Sequence, residues 1–295
     1  LREKLKEQAE LTVLEPVTIQ TSKLDGTKKY LFRLPDGNMI ESVLMRYKHG
    51  NSVCISSQAG CAMGCAFCAT GLAGLSRSLT AQEMVDQVLH VARDFGERVT
   101  SVVFMGQGEP FANYDEVLKA LRILNDPDGI GIGARHLTVS TSGVIPGIRK
   151  FADIPEQFTL AVSLHSAIQS TRNKLMPGVK KYTLLRLHEA LQLYTEKTGR
   201  RPTYEYAMIE GVNDTNPEMQ ALCDFCEGTL CHVNLIQLND IEGSPLKPSP
   251  IHKVEDLQRR LESRGIETTI RNSRGNDIDA ACGQLKQRFK VQKNA

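Results

Sequence analysis

The sequence predicts an α/β fold built on a mostly parallel sheet and preceded by a small antiparallel β extension. Three observations lead there. Six short apolar runs, at 52–56, 101–105, 136–140, 159–164, 203–209 and 233–238, alternate with amphipathic stretches, the rhythm of strand–helix units in a parallel sheet. Residues 9–50 instead hold β-rich runs separated by turn signals. At 295 residues, with 41% hydrophobic and 24% charged side chains, the chain can bury one large core. Periodicity alone leaves a doubly wound sheet and a barrel both open.

The elements follow in order. Residues 11–20 are rich in Val, Thr and Ile, and Asp25-Gly26 and Pro35-Asp36-Gly37 punctuate the runs 29–34 and 38–47. That is an antiparallel meander. After the run 52–56, a helix over 81–95 opens with the capping box Thr80-Ala-Gln-Glu83. Further helices are expected over 114–124, 183–198, 216–226 and 251–264. A seventh strand at 267–271 and a C-terminal helix around 277–290 close the chain. The expected organisation is a β extension over 1–50 and a core domain over 51–295 that includes the C-terminal helix. No apolar run reaches membrane-spanning length, and Leu-Arg-Glu-Lys-Leu-Lys-Glu at the start is no signal peptide. The eight cysteines are therefore read as cytosolic thiols, and the protein as cytoplasmic. A net charge of +2 permits an RNA partner without requiring one.

The most informative chemistry lies in Gly60-Cys-Ala-Met-Gly-Cys-Ala-Phe-Cys-Ala-Thr70. Cys61, Cys65 and Cys68 have the spacing C-x3-C-x2-C, which can hold three irons of a [4Fe-4S] cluster and leave the fourth open. This spacing is the signature of enzymes that bind S-adenosylmethionine (SAM) at the open iron and cleave it to a 5′-deoxyadenosyl radical. A zinc site prefers four ligands, often in paired knuckles, and no partner pair stands nearby.

Other motifs sit where strands should end, the working end of a (β/α) barrel. Gly106-Gln-Gly108-Glu109-Pro110 follows an apolar run; its glycines admit close approach to a ligand, and Glu109 can accept a hydrogen bond from the SAM ammonium. Ser140 ends the third run, Ser163-Leu164-His165 the fourth and Asn239 the sixth. Cys54 and Cys282, read alone, are small buried hydrophobes. Cys223, Cys226 and Cys231 fall on a helix and a strand start, so they too read as structural. Basic pairs at Arg149-Lys150, Lys180-Lys181 and Arg200-Arg201, and Arg271 with Arg274, are either solvated faces or phosphate grips. With no Trp and few aromatics, a base-stacking platform is not expected.

Taken together, Cys54-Ile-Ser-Ser-Gln-Ala-Gly-Cys-Ala-Met-Gly-Cys-Ala-Phe-Cys68, Met-Gly-Gln-Gly-Glu-Pro110, Ser140-Thr-Ser-Gly-Val, Val-Ser-Leu-His165 and Asp277-Ile-Asp-Ala-Ala-Cys-Gly-Gln-Leu285 resemble the RlmN/Cfr family over about residues 1–290. These are radical SAM methyltransferases of an adenine in 23S ribosomal RNA. The resemblance implies a partial (β/α)6 radical-SAM barrel, one [4Fe-4S] cluster per chain and two SAM consumed per turnover. It implies that Cys282 becomes S-methylcysteine, that the deoxyadenosyl radical takes a hydrogen from that methyl group, and that the resulting methylene radical adds to the adenine. It implies that Cys54 releases the RNA by forming a disulfide and that Glu41 accepts the adenine proton. SAM contacts carried over are Gly108, Glu109, Ser140, Ser163, Leu164, His165 and Asn239. The partners implied are 23S rRNA, with a transfer RNA adenosine also open, and a one-electron reductant such as flavodoxin; a monomer is expected.

Gln107 stands where relatives often have Met, with its Gly and Glu neighbours intact. A helical N-terminal accessory domain of the family is not in the sequence. Gly-Glu-Pro and Ser-Thr-Ser-Gly favour the RlmN branch, hence methylation at C2 of adenosine 2503 over Cfr-type C8 methylation. A glycyl-radical-enzyme activase shares the three cysteines but has no need of Cys54 or Cys282; a non-catalytic iron–sulfur RNA-binding module is the third alternative.

Overall fold

The computed structural model describes residues 12–238, 244–271, 273–278 and 285. Its main sheet has ten strands in the order β1-β2-β3-β4-β7-β8-β9-β10-β11-β12. The first three are β1 Glu15–Thr21, β2 Lys28–Arg33 and β3 Met39–Tyr47. They run antiparallel to one another, and β3 is antiparallel to β4 Gly50–Cys54. From β4 onward the neighbours are parallel through β7 Ser101–Phe104, β8 Leu137–Thr141, β9 Thr159–Ser163, β10 Thr203–Met208, β11 His232–Gln237 and β12 Glu267–Arg271. The order ends at β12 without returning to β1, so the barrel is partial. All seven apolar runs of the sequence are strands here.

The extension is not set apart from the sheet. Val43 of β3 lies opposite Cys54 of β4, and Leu44 opposite Val53. Tyr30, Phe32, Leu34 and Ile40 bury in the same cluster as Val53, Val102, Val139 and Leu160 of the parallel strands. Alternation along each strand sends one set of side chains to this core and the other to the barrel interior.

Helix Ala81–Phe95 forms where the capping box placed it. Glu83 N–H donates to Thr80 Oγ1 at 3.2 Å, Thr80 N–H donates to Glu83 Oε2 at 2.9 Å, and Gly96 ends the helix with φ 75°. Tyr114–Asn125, Leu184–Thr198, Asn216–Cys226 and Ile251–Glu262 also match expectation. Features not read from sequence include helices Ala69–Leu72, Ile145–Ala152 and Gln169–Leu175, and the hairpin β5 Gln58–Gly60 with β6 Leu75–Ser78 that brackets the cysteine loop. Gly60, at φ 87°, makes that hairpin possible, since a Cβ there would lie 2.1 Å from Gly74 O. The expected C-terminal helix falls almost wholly outside the described residues. No described helix is long and apolar enough to cross a membrane.

Candidate active site

At the C-terminal ends of the parallel strands lies a cavity of about 280 Å³. Cys61, Cys65 and Cys68 line it together with Gly108, Glu109, Ser140, Ser163 and His165. Strand geometry explains the convergence: each of these residues stands at or just beyond the end of β5, β7, β8 or β9.

The cysteine loop is clamped from two sides. Cys61 N–H donates to Gly74 O at 2.9 Å, Ala66 N–H to Leu175 O at 2.9 Å, and Gly178 N–H to Met63 O at 2.9 Å. Gly178 has to be glycine for this approach, because a Cβ would stand 2.6 Å from Met63 Cα. Burial pushes the Cys61 thiol up to about 11, against the N–H groups of Met63 and Gly108. Burial also pushes Cys65 up, with neighbouring Cys68 and Cys61 adding to it. A metal reverses this, since a coordinating thiol is deprotonated outright. Among the described residues no three His, Cys, Asp or Glu side chains converge as a single metal ion requires. A four-iron cluster asks for something different, one soft thiolate on each of three irons. Three thiols spread around one cavity fit that group.

Glu109 is fully buried beside them and satisfied by four donors. Phe111 N–H and Thr141 Oγ1 donate to Oε1 at 3.0 and 2.7 Å, and Ser142 N–H and Oγ donate to Oε2, each at 2.6 Å. Burial still raises its pKa against those four bonds, so a cation placed in the cavity would favour its charged form. Behind Ser142 lies Arg172, also buried, whose Nη2 donates to Ser142 O at 2.6 Å.

His165 has φ 54°, a conformation non-glycine residues rarely adopt. It is fixed there: its Nδ1 accepts from Ala207 N–H at 3.0 Å and its carbonyl accepts from Asn213 Nδ2 at 2.7 Å. The proton therefore resides on Nε2. Burial, with Arg172 nearby, lowers its pKa to about 3 and keeps the imidazole neutral. Phe67, between two of the cysteines, meets the imidazole edge-on with centroids 4.5 Å apart. Glu205 of β10 and Arg271 of β12 also line the cavity. Burial pushes the Glu205 carboxyl up, while Arg271 and a 2.8 Å bond from Asn234 Nδ2 favour the anion. Phe67, Arg172 and Glu205 escaped the sequence reading; a lone Glu in the apolar run 203–209 was the one available signal.

The remaining sequence candidates divide. Cys54 ends β4 in a small cluster with Val43 and Met45, next to Val103 and Met105, and Met105 lines the cavity. Glu41 lies on the same face of β3 as Val43, buried, with Lys29 Nζ at 2.7 Å from its Oε2. Leu164 is buried in the main core, and its side chain is not among the cavity lining. Asn239 and Cys282 lie outside the described residues. Cys223, Cys226 and Cys231 are core residues. Arg200 and Arg201 precede β10, at the opposite end of the strands from the cavity, where they bond Thr159 and Glu267. Lys180 and Lys181 are exposed beside the turn that clamps the cysteine loop.

Residues 55–225 match the radical SAM superfamily. A protein of Lachnospira eligens named dual-specificity RNA methyltransferase RlmN is 48% identical over 289 residues, covering 98% of this chain and 83% of the relative. A Geobacillus kaustophilus protein of the same name is 50% identical over 289 residues, covering 97% and 79%. Among solved structures, a radical SAM methyltransferase from Sphaerobacter thermophilus superposes with a TM-score of 0.91 at 46% identity, over 96% of this chain and 84% of that one.

Proposed function

Since the chain belongs to the radical SAM superfamily and, within it, to the RlmN group of RNA methyltransferases, we propose that it methylates C2 of adenosine 2503 in 23S rRNA, with a transfer RNA adenosine as a second substrate. One observation carries the reading: the three cysteines share a single cavity with Glu109, Ser140, Ser163 and His165, and Cys54 belongs to a small cluster that includes Met105 of the cavity wall. The C2 branch rests on the intact Gly108-Glu109-Pro110 and Ser140-Thr-Ser-Gly143 sequences.

Cys61, Cys65 and Cys68 would hold one [4Fe-4S] cluster, and Glu109, with Ser140, Ser163 and His165 lining the same cavity, would seat SAM, with Asn239 a further contact by family resemblance. The bound cluster and SAM supply a 5′-deoxyadenosyl radical, the hard step that no side chain provides. Cys282 attacks the methyl carbon of a first SAM; the carbon–sulfonium bond breaks and S-adenosylhomocysteine leaves. Cys282 then presents its methyl group as the source of the new carbon. Glu41 takes the C2 proton once carbon has been added. Cys54 attacks the Cys282 sulfur; the sulfur–sulfur bond forms as the bond from that sulfur to the transferred carbon breaks, and the carbon takes up a proton to become the methyl group of the freed RNA. Two SAM would be consumed per turnover, one as methyl donor and one as radical source, with a one-electron reductant such as flavodoxin supplying the electron for SAM cleavage. The Cys54–Cys282 disulfide must take up two electrons and two protons before the next cycle. The target base has to leave its stack to reach the cavity. Acting on such an RNA, the enzyme would work in the cytoplasm, and as a monomer.

Nucleoside analysis of rRNA treated with the reconstituted enzyme tests this. The expected product is 2-methyladenosine, absent with Cys282→Ala, whereas Cys54→Ala accumulates RNA covalently bound to protein. 8-Methyladenosine would overturn the C2 assignment. Free methylated RNA from either cysteine variant at the wild-type rate would overturn both cysteine roles.

A further inference from the structure

Arg172, on helix Gln169–Leu175, is only 1% exposed. Its Nη2 donates to Ser142 O at 2.6 Å and lies 3.4 Å from Ser163 O, the backbone of two residues that line the cavity. Gly143 admits the guanidinium: it takes φ 99°, and a Cβ there would stand 2.9 Å from Nη2. The N–H groups on Nε and Nη1 are buried and find no hydrogen-bond partner among the described residues. No described carboxylate pairs with the guanidinium either. Among the described residues, the charge that favours its ionised form is that of Cys65. A cation taken out of water without a partner is costly, and buried ones are normally matched by an anion.

The same turn of helix reaches the cysteine loop. Leu175 and Met176 stand three and four residues after Arg172, on its side of the helix, and Met176 N–H donates to Arg172 O at 2.8 Å. Both pack with Cys65 in one buried cluster, and Leu175 O accepts from Ala66 N–H at 2.9 Å. The Arg172 charge is felt at Cys65, where it favours the thiolate, and at His165, where it joins burial in disfavouring the imidazolium. Burial lowers the pKa of Arg172 itself only to about 10, so it stays charged at neutral pH.

A [4Fe-4S] core held by three thiolates is an anion overall, and one-electron reduction adds a further negative charge. We propose that Arg172 is the buried counter-charge of the cluster and raises its reduction potential. The proposal rests on the reading that Cys61, Cys65 and Cys68 hold that cluster. The Arg172 side chain is not among the cavity lining, so it acts through its charge and not by touching SAM or RNA. A fixed cation stabilises the reduced cluster more than the oxidised one, because the reduced form carries the larger negative charge. Burial preserves the effect, since water and salt would screen an exposed arginine. The cluster is thereby brought nearer the reach of a one-electron donor. The same guanidinium, bonded to Ser142 and Ser163, stands behind the residues that would seat SAM.

The experiment reconstitutes the cluster anaerobically in the full chain of wild type, Arg172→Lys, Arg172→Gln and Arg172→Met. Iron and sulfide are measured per chain, and the midpoint potential is read without SAM, by redox titration followed with electron paramagnetic resonance. Arg172→Gln and Arg172→Met should be at least about tenfold harder to reduce, a midpoint about 59 mV more negative for one electron. Arg172→Lys keeps the charge and should shift by less than about half as much. A neutral variant with wild-type iron content and an unmoved midpoint would overturn the proposal, and weaker SAM binding beside it would reassign Arg172 to the SAM carboxylate. A shift in Arg172→Lys as large as in Arg172→Met would also overturn it, because the bonds to Ser142 and Ser163 would then matter and not the charge. If the neutral variants take up no cluster, Arg172→Lys decides. Iron content and midpoint like wild type would support the counter-charge, and loss of the cluster there too would overturn it. A wild type that binds no iron would instead overturn the reading of the three cysteines.

Discussion

Lys29 Nζ lies 2.7 Å from Glu41 Oε2, with the two side chains only 1% and 3% exposed. The carboxylate proposed to take a proton from the substrate is thus held from the neighbouring strand by a buried ammonium. Removing one partner of such a pair strands the other, at about 3–5 kcal/mol, whereas replacing both by apolar groups is often close to neutral. Lys29→Ala should therefore destabilise the protein by about 3–5 kcal/mol in urea unfolding. Lys29→Met with Glu41→Leu should recover most of that stability and still fail to release methylated RNA. Normal turnover by the double variant would remove Glu41 from the reaction.

His165 offers a second check, through pH. Its folded pKa of about 3 lies below the usual value of 6.5. Between those values the unfolded chain binds a proton that the folded one does not. This part of the stability is therefore complete above pH 6.5 and falls as pH drops toward 3, with a slope approaching about 1.4 kcal/mol per pH unit. Cluster-free wild type should lose stability between pH 7 and pH 4 more steeply than His165→Gln. Parallel curves would mean that His165 is not the buried neutral group described.

Gly108 tests the cradle. It takes φ 106°, and a Cβ there would stand 2.6 Å from Gln58 Cβ, whose Oε1 receives Glu109 N–H at 2.9 Å. Gly108→Ala should displace Glu109 and weaken SAM binding at least about tenfold, near 1.4 kcal/mol. Gly133→Ala, at φ −57° and with its nearest neighbour 3.5 Å from the added carbon, should leave binding unchanged. Equilibrium dialysis with labelled SAM distinguishes them.

What the sequence disclosed and what it hid have physical reasons. Helix Ala81–Phe95 was legible because its cap is local, three residues from Thr80 to Glu83. Helix Ile145–Ala152 was not, because Pro146-Gly147 reads as a turn although Pro also suits a helix's first turn. Helix Gln169–Leu175 is nearly all polar and shows no apolar stripe. In the site, the cysteines and Gly108-Glu109 announced themselves by spacing along the chain. Arg172 and Glu205 take their meaning from burial beside Ser142 and Arg271, which exists only after folding. The basic pairs looked alike in sequence, yet Lys180-Lys181 flank the cysteine loop while Arg200-Arg201 sit at the far end of the strands.

That difference predicts where RNA phosphates lie. Each phosphate contact contributes about 0.7 to the slope of log affinity against log salt for single strands and about 0.9 for duplex. Lys180→Ala with Lys181→Ala should weaken RNA binding and flatten that slope by roughly one to two. Arg200→Ala with Arg201→Ala should change neither. Filter binding across a salt series checks both, and the reverse pattern would move the RNA face to the other end of the barrel.

The most direct test of the central claim is SAM cleavage at the cysteine cavity. Anaerobically reconstituted wild type, reduced and given SAM, should hold about four iron and four sulfide per chain and form 5′-deoxyadenosine. Cys65→Ala should form none, while Cys223→Ala, altered in the core away from the cavity, should still form it. Production of 5′-deoxyadenosine by Cys65→Ala at the wild-type rate would contradict the account.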